Sequence, residues 1–130
     1  MAGFLTGSID LVLRQGARYA IVDYKTNWLG GEGETLSAWH YRPAALAAEM
    51  QRAHYGLQAL LYAVALHRYL RWRQRGYDPA RHLGGVHYLF LRGMLGPDTP
   101  SVDGAPCGVL SWHPSAVLVG ELSDLLGGHS

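Results

Sequence analysis

The sequence predicts an α/β fold in which helices pack against a mixed sheet. Three observations carry that expectation. Two short runs rich in aliphatic residues flank a turn at Gln15-Gly16. A long stretch from Pro43 to Arg75 has helical periodicity. A glycine-bounded apolar run over 84–93 is followed by a second short strand and a closing helix. In chain order the expected elements are β-β-α-α-β-β-α.

The first strand is expected over 4–13, with apolar residues at 5, 9, 11 and 13, and the second over 19–25 as its antiparallel partner. Residues 28–33 carry three glycines and read as loop. Pro43 suits a first helical turn, Gly76 suits a stop, and Tyr55-Gly56 is the expected break between a short helix and a long one. Leu57, Leu60, Leu61 and Val64 form the apolar stripe of the long helix. The segment 95–108 holds three prolines and is expected to be irregular, ahead of a strand over 108–112. The last helix, over 114–126, is expected to be capped by His113 or Ser115.

Composition narrows the function classes. The chain has 130 residues, a single domain's worth, and its 48% hydrophobic and 16% charged residues exclude a disordered chain. No apolar run approaches the ~20 residues of a membrane span, and the N-terminus lacks a secretory pattern, so no membrane partner is expected and the expected compartment is the cytoplasm. Cys107 stands alone, which excludes an internal disulfide. Seven histidines lack zinc-site spacing, and Gly30-Gly31-Glu32-Gly33 is not followed by the Lys-Ser/Thr of a phosphate-binding loop. An ATPase motor is therefore not expected within this chain.

Of the 11 basic residues, ten are arginine and one is lysine, Lys25. A compact ammonium is thus kept at one position only. Asp10 and Asp23 are equidistant from the turn, so antiparallel pairing sets them opposite each other, with Cβ atoms about 5 Å apart if they share a face. Two carboxylates that close repel unless a cation lies between them. A hard divalent ion accepts such oxygens. Lys25 follows Asp23 by two residues and shares its face. The set is suited to metal-assisted phosphodiester hydrolysis. On this reading, neutralising either acid should stabilise the metal-free protein. A solvated Asp23/Lys25 ion pair is the plainer alternative, but it leaves the apolar flanks Ile9, Leu11, Ile21 and Val22 unexplained.

Gly7-x-Ile9-Asp10-Leu11-Val12, Asp23-Tyr24-Lys25-Thr26-Asn27 and Gln58-x-x-x-Tyr62 resemble, in order, the motifs of the PD-(D/E)xK nuclease superfamily. The tracts 23–30, 66–71, 88–93 and 112–115 are similar to the C-terminal nuclease domains of the RecB family in particular. The resemblance implies a restriction-endonuclease-like core. It implies that Asp10, Asp23 and the backbone carbonyl of Tyr24 ligate Mg²⁺, with Mn²⁺ an alternative and Ca²⁺ an inhibitory or structural occupant. It further implies that Lys25 is catalytic, that Gln58 and Tyr62 stand beside the active site, and that linear DNA is the substrate.

The family places a helix with a glutamate, and further upstream a histidine, before the first motif strand. Neither is present in this sequence, so the expectation is a domain lacking its N-terminal part, within a longer helicase–nuclease subunit. Its partners would be RecC-like and RecD-like subunits and the RecA recombinase. The rival expectation is a non-catalytic module that loads the recombinase or docks those subunits. Thr26, Asn27, Arg68 and Arg71 are further candidate DNA contacts. The basic, aromatic end of the long helix also reads as cations complementing a helix C-terminus.

Overall fold

The computed structural model describes residues 9–31, 33–94, 99–102 and 104–127. Strand β1 (Leu11–Gln15) turns at Gly16, whose φ of 61° is a left-handed conformation that glycine adopts freely, into β2 (Arg18–Lys25). The pairing is antiparallel, with Leu11 opposite Val22 and Leu13 opposite Ala20, the register expected from the turn. The strand expected from residue 4 begins at Leu11, and 4–8 lie outside the described residues.

A 3₁₀ turn, Ala38–Tyr41, leads into α1 (Pro43–Arg52), which opens on its proline, and then α2 (Tyr55–Arg73). The break between the helices falls at Ala53-His54, not at Tyr55-Gly56 as expected. His54 takes φ 59°, a left-handed conformation in which His is enriched among non-glycine residues. The glycine that marked the expected break lies in the first turn of α2, where its flexibility is tolerated. A short helix that was not expected, α3 (Pro79–His82), is capped by the Asp78 carboxylate, which accepts from Ala80 N–H at 3.2 Å.

Strand β3 (Leu83–Phe90) then runs parallel to β2, and a 3₁₀ turn Leu91–Gly93 follows it. Parallel neighbours need a crossover, and α1 and α2 supply it. Within the irregular segment, β4 (Ser101–Val102) and β5 (Ala105–Pro106) make a small separate hairpin. Strand β6 (Val109–Trp112) pairs antiparallel with β3, and α4 (Ala116–Gly127) closes the chain. Ser115 is its cap, accepting from Leu118 N–H at 3.1 Å. The main sheet therefore has the order β1-β2-β3-β6 and is mixed, as expected.

The core lies between the two central strands and the helices. Ile21, Val86, Tyr88 and Phe90 from the sheet and Tyr41, Leu46 and Val64 from the helical side are fully buried. The edge strand β1 is exposed throughout, including Leu11, Val12 and Leu13. α4 is fastened to α2 by Arg68, whose Nε donates to Ser123 Oγ at 3.0 Å and whose NH2 donates to Ser123 O at 2.7 Å. Bonds to a charged group contribute about 1.5–3 kcal/mol each. Arg68→Ala should therefore lower stability by about 2 kcal/mol and speed amide exchange along α4 first. Uniform exchange across all elements would contradict that fastening role.

Candidate active site

The hairpin register brings the two acids together. Asp10, just ahead of β1, turns back so that its Oδ2 accepts from Tyr24 N–H at 3.0 Å. That bond, then a side-chain hydrogen bond with Asp23 and, least, the Lys25 charge, hold the exposed Asp10 carboxyl below the usual carboxylate range. Asp23 is only 3% exposed. Burial pushes its carboxyl above the usual range, and the nearby Asp10 adds to the effect against the opposing pull of Lys25. The two acids are thus driven apart in character, one kept ionised at the surface and one made reluctant to ionise inside.

Lys25 and Asp23 share a face through the strand's period of two. Lys25 Nζ lies 2.7 Å from Asp23 Oδ2. The contact is ionic but poorly aligned as a hydrogen bond. Among the described residues, Asp23 Oδ2 is the buried side-chain polar atom without a hydrogen-bond partner. The same ammonium is 3.3 Å from Gln58 Oε1, 4.1 Å from the centre of the Tyr55 ring and 5.5 Å from that of Tyr88. Tyr55 and Tyr88 stack with 5.7 Å between ring centres and 15° between planes. Lys25 is therefore fixed in a box of one carboxylate, one amide oxygen and an aromatic face.

The first turns of α2 build one wall of this box. Tyr55, Gln58 and Tyr62 recur at spacings of three and four and so share a helix face. Gln58 Oε1 also accepts from Tyr88 OH at 3.1 Å, which orients the amide toward Lys25. Tyr62 is buried, and its hydroxyl is pushed up to about 12 by burial and by the charges of Asp23 and Asp10, a sign of how near it lies to them. Behind Lys25, Asn27 Nδ2 donates to Glu49 Oε2 at 2.6 Å and to Tyr55 OH at 3.0 Å, while Arg52 grips the buried Glu49.

Asp10, Asp23, Lys25, Gln58 and Tyr62 thus converge, with Tyr24 between the two motif residues and its side chain on the opposite, exposed face. Thr26 and Asn27 are adjacent, but the Asn27 amide is turned inward. Arg68 lies about 15 Å along the helix axis from Gln58 and is engaged with Ser123; Arg71 is exposed one turn beyond. Tyr55 and Tyr88 were not expected at the site from the sequence, and Glu49 was not expected to serve as a metal ligand. Tyr55 stands three residues before Gln58, a spacing that marks it as a facing neighbour. Tyr88 enters through the β2–β3 register, Asp23 opposite Tyr88, which no local pattern announces.

The donor set fits a hard divalent cation: a buried carboxylate oxygen without a hydrogen-bond partner beside a second, ionised carboxylate. No group of three or more His, Cys, Asp or Glu side chains gathers among the described residues. Asp10 also opens onto a groove of about 590 Å³ between β1 and α2, lined by Val12, Tyr19, Leu66, Tyr69 and Leu70 among others.

The chain matches the PD-(D/E)XK nuclease superfamily over residues 2–107. It is 60% identical over 126 residues to the RecBCD enzyme subunit RecB of Mycolicibacterium smegmatis, covering 97% of this chain and 12% of that protein. To the RecB subunit of Mycobacterium tuberculosis it is 57% identical over 127 residues, 97% of this chain and 11% of that protein. To that of Escherichia coli it is 44% identical over 126 residues, 97% of this chain and 10% of that protein. The chain therefore spans about a tenth of the length of these curated relatives.

Proposed function

The chain belongs to the PD-(D/E)XK nuclease superfamily and is RecB-like over nearly its whole length, and on that premise we propose that it hydrolyses phosphodiester bonds of linear DNA with Mg²⁺. The observation that carries the reading is the Asp10/Asp23/Lys25 cluster, with its buried carboxylate oxygen paired only to the boxed ammonium among the described residues. Asp10, Asp23 and the Tyr24 carbonyl would hold the ion, and Mn²⁺ suits the same oxygens. When bound, the ion supplies Lewis-acid charge at the scissile phosphate. Lys25 donates a hydrogen bond to a phosphate oxygen or to the attacking water, offsetting negative charge as it develops. Gln58 and the Tyr55 ring keep that ammonium in one place, and Tyr62 closes the site toward the core.

At the level of the parent protein, the proposal is a part of a longer helicase–nuclease subunit that degrades DNA ends in recombinational repair in the cytoplasm. It would work with RecC-like and RecD-like subunits and with RecA. No helix among the described residues is long and apolar enough to cross a membrane. A docking role beside catalysis is favoured by α4, which leaves Val117, Leu125 and Leu126 exposed.

Thermal unfolding with and without Mn²⁺ or Mg²⁺ tests the reading. A ligand that binds only the folded state at a hundred times its Kd adds about 2.7 kcal/mol. The wild type should gain stability with metal, and Asp10→Asn and Asp23→Asn should each lose the gain. A wild type indifferent to metal and inactive on DNA would leave the docking role alone.

The metal-free proteins should differ from one another, in contrast to the symmetric effect expected from sequence. The folded pKa of Asp23 is raised. Its favourable contribution therefore exists below the ordinary carboxylate range and is lost as pH rises through the raised value. Near neutral pH its ionisation is a cost, and Asp23→Asn should stabilise. The folded pKa of Asp10 is lowered, so its contribution is present at neutral pH, and Asp10→Asn should not stabilise.

A further inference from the structure

The end of the sheet beyond Lys25 carries a surface that the carboxylates and the lysine do not account for. Three segments meet there. The loop 26–31 leaves β2 directly after Lys25, and the turn Ala38–Tyr41 follows it. The turn Leu91–Gly93 leaves β3, which runs parallel to β2 and so ends on the same side. Tyr41 pins all three: its hydroxyl donates to Asn27 O at 2.5 Å and accepts from Leu29 N–H at 3.2 Å, and its ring fills the space that a Cβ on Gly93 would need.

On this support stand two exposed indoles, Trp28 at 53% and Trp39 at 57%. Each carries a guanidinium. Arg42 Cζ lies 3.6 Å from the Trp39 ring centre, and Arg92 Cζ lies 5.7 Å from that of Trp28. Both arginines are also held by main-chain oxygens, Arg42 by Trp39 O at 3.1 Å and Arg92 by Thr26 O at 2.7 Å. Thr26 is the residue next to Lys25. Among the described residues neither arginine pairs with a carboxylate.

Large aromatic faces kept in water and flanked by positioned cations suit a partner that brings flat apolar rings and negative charge together. We propose that Trp28, Trp39, Arg42 and Arg92 form a platform for single-stranded DNA, with unpaired bases stacking on the indoles and phosphates meeting the guanidiniums. The proposal rests on the nuclease reading, because the platform would deliver a strand to Lys25 and the two acids. Single strands suit it better than duplex. Bases in a duplex are stacked on one another, whereas an unpaired strand can turn its base faces toward the protein.

Fluorescence anisotropy of end-labelled oligo(dT), measured in EDTA so that no hydrolysis intervenes, tests the platform. The wild type should bind, with affinity falling as salt rises. Trp28→Ala and Trp39→Ala should each weaken binding about tenfold, within the range of base–aromatic stacking. Trp39→Phe should recover most of the loss, because a stacking face remains. Arg42→Ala should reduce the slope of log affinity against log salt by about 0.7. Unchanged melting temperatures would establish that the variants are folded.

The platform is overturned if the wild type does not bind oligo(dT), if a blunt hairpin duplex competes better than oligo(dT), or if folded Trp28→Ala and Trp39→Ala bind as the wild type does. It is also overturned if Trp39→Phe binds no better than Trp39→Ala. The nuclease reading is judged separately by metal-dependent stability and hydrolysis, so either can fail without the other.

Discussion

Lys25→Ala is expected to lower metal-supported DNA hydrolysis by about 10²–10³-fold, the loss that follows removal of one positioned charge-stabilising donor. Metal-induced stabilisation should persist in this variant, since the carboxylates remain. That split separates a catalytic ammonium from one that merely neutralises Asp23. Lys25→Arg should not restore the rate. A planar guanidinium is wider than an ammonium, and the box leaves 3.3 Å to Gln58 Oε1 and 4.1 Å to the centre of the Tyr55 ring. Single-turnover hydrolysis of an end-labelled duplex, with metal-dependent melting on the same samples, measures both quantities. A Lys25→Ala protein that cuts at the wild-type rate would remove Lys25 from the chemistry.

Tyr41→Ala should produce the largest loss of stability, about 3–5 kcal/mol by analogy with other large aromatic truncations. Tyr41 is fully buried, packs against Phe90 with 6.4 Å between ring centres, and lies against Gly93. Its hydroxyl also holds the backbone of the loop after Lys25 at two points. Such a loss is a large part of the 5–15 kcal/mol available to a typical domain. Tyr41→Phe keeps the ring and leaves Leu29 N–H without its acceptor, for a smaller loss of about 1–3 kcal/mol. Urea unfolding midpoints for the two variants check the order. Equal losses would mean that the hydroxyl, not the ring, secures this end of the sheet.

Much of the site could be read locally. The Asp10–Asp23 pairing follows from symmetry about the turn, and the placement of Lys25 follows from the period of a strand. Gln58 and Tyr62 follow from the period of a helix. What escaped reading is the rest of the box. Tyr88 stands across from Asp23 only because β3 pairs parallel with β2, a choice made by α1 and α2 crossing over rather than by any residue in either strand. The helix break moved to His54 because the chain takes its left-handed kink there, which a sequence pattern that favours glycine assigns to Gly56. The aliphatic residues of β1 marked a strand but not its place at the sheet edge, where it is exposed. Alternation tells which residues share a face, not whether anything covers that face.

The sequence by itself determined the hairpin, its register, the mixed α/β class and the acid–acid–lysine set, because turn symmetry and residue periods act over a few positions. The tertiary structure alone decided that Asp23 would be buried and Asp10 exposed, which drives their ionisation in opposite directions. It also decided that Lys25 would sit against tyrosines from two distant segments, and that two tryptophans would stay in water at the same end of the sheet. Burial and long-range pairing depend on which surfaces meet after the helices dock, and that information is spread over the whole chain.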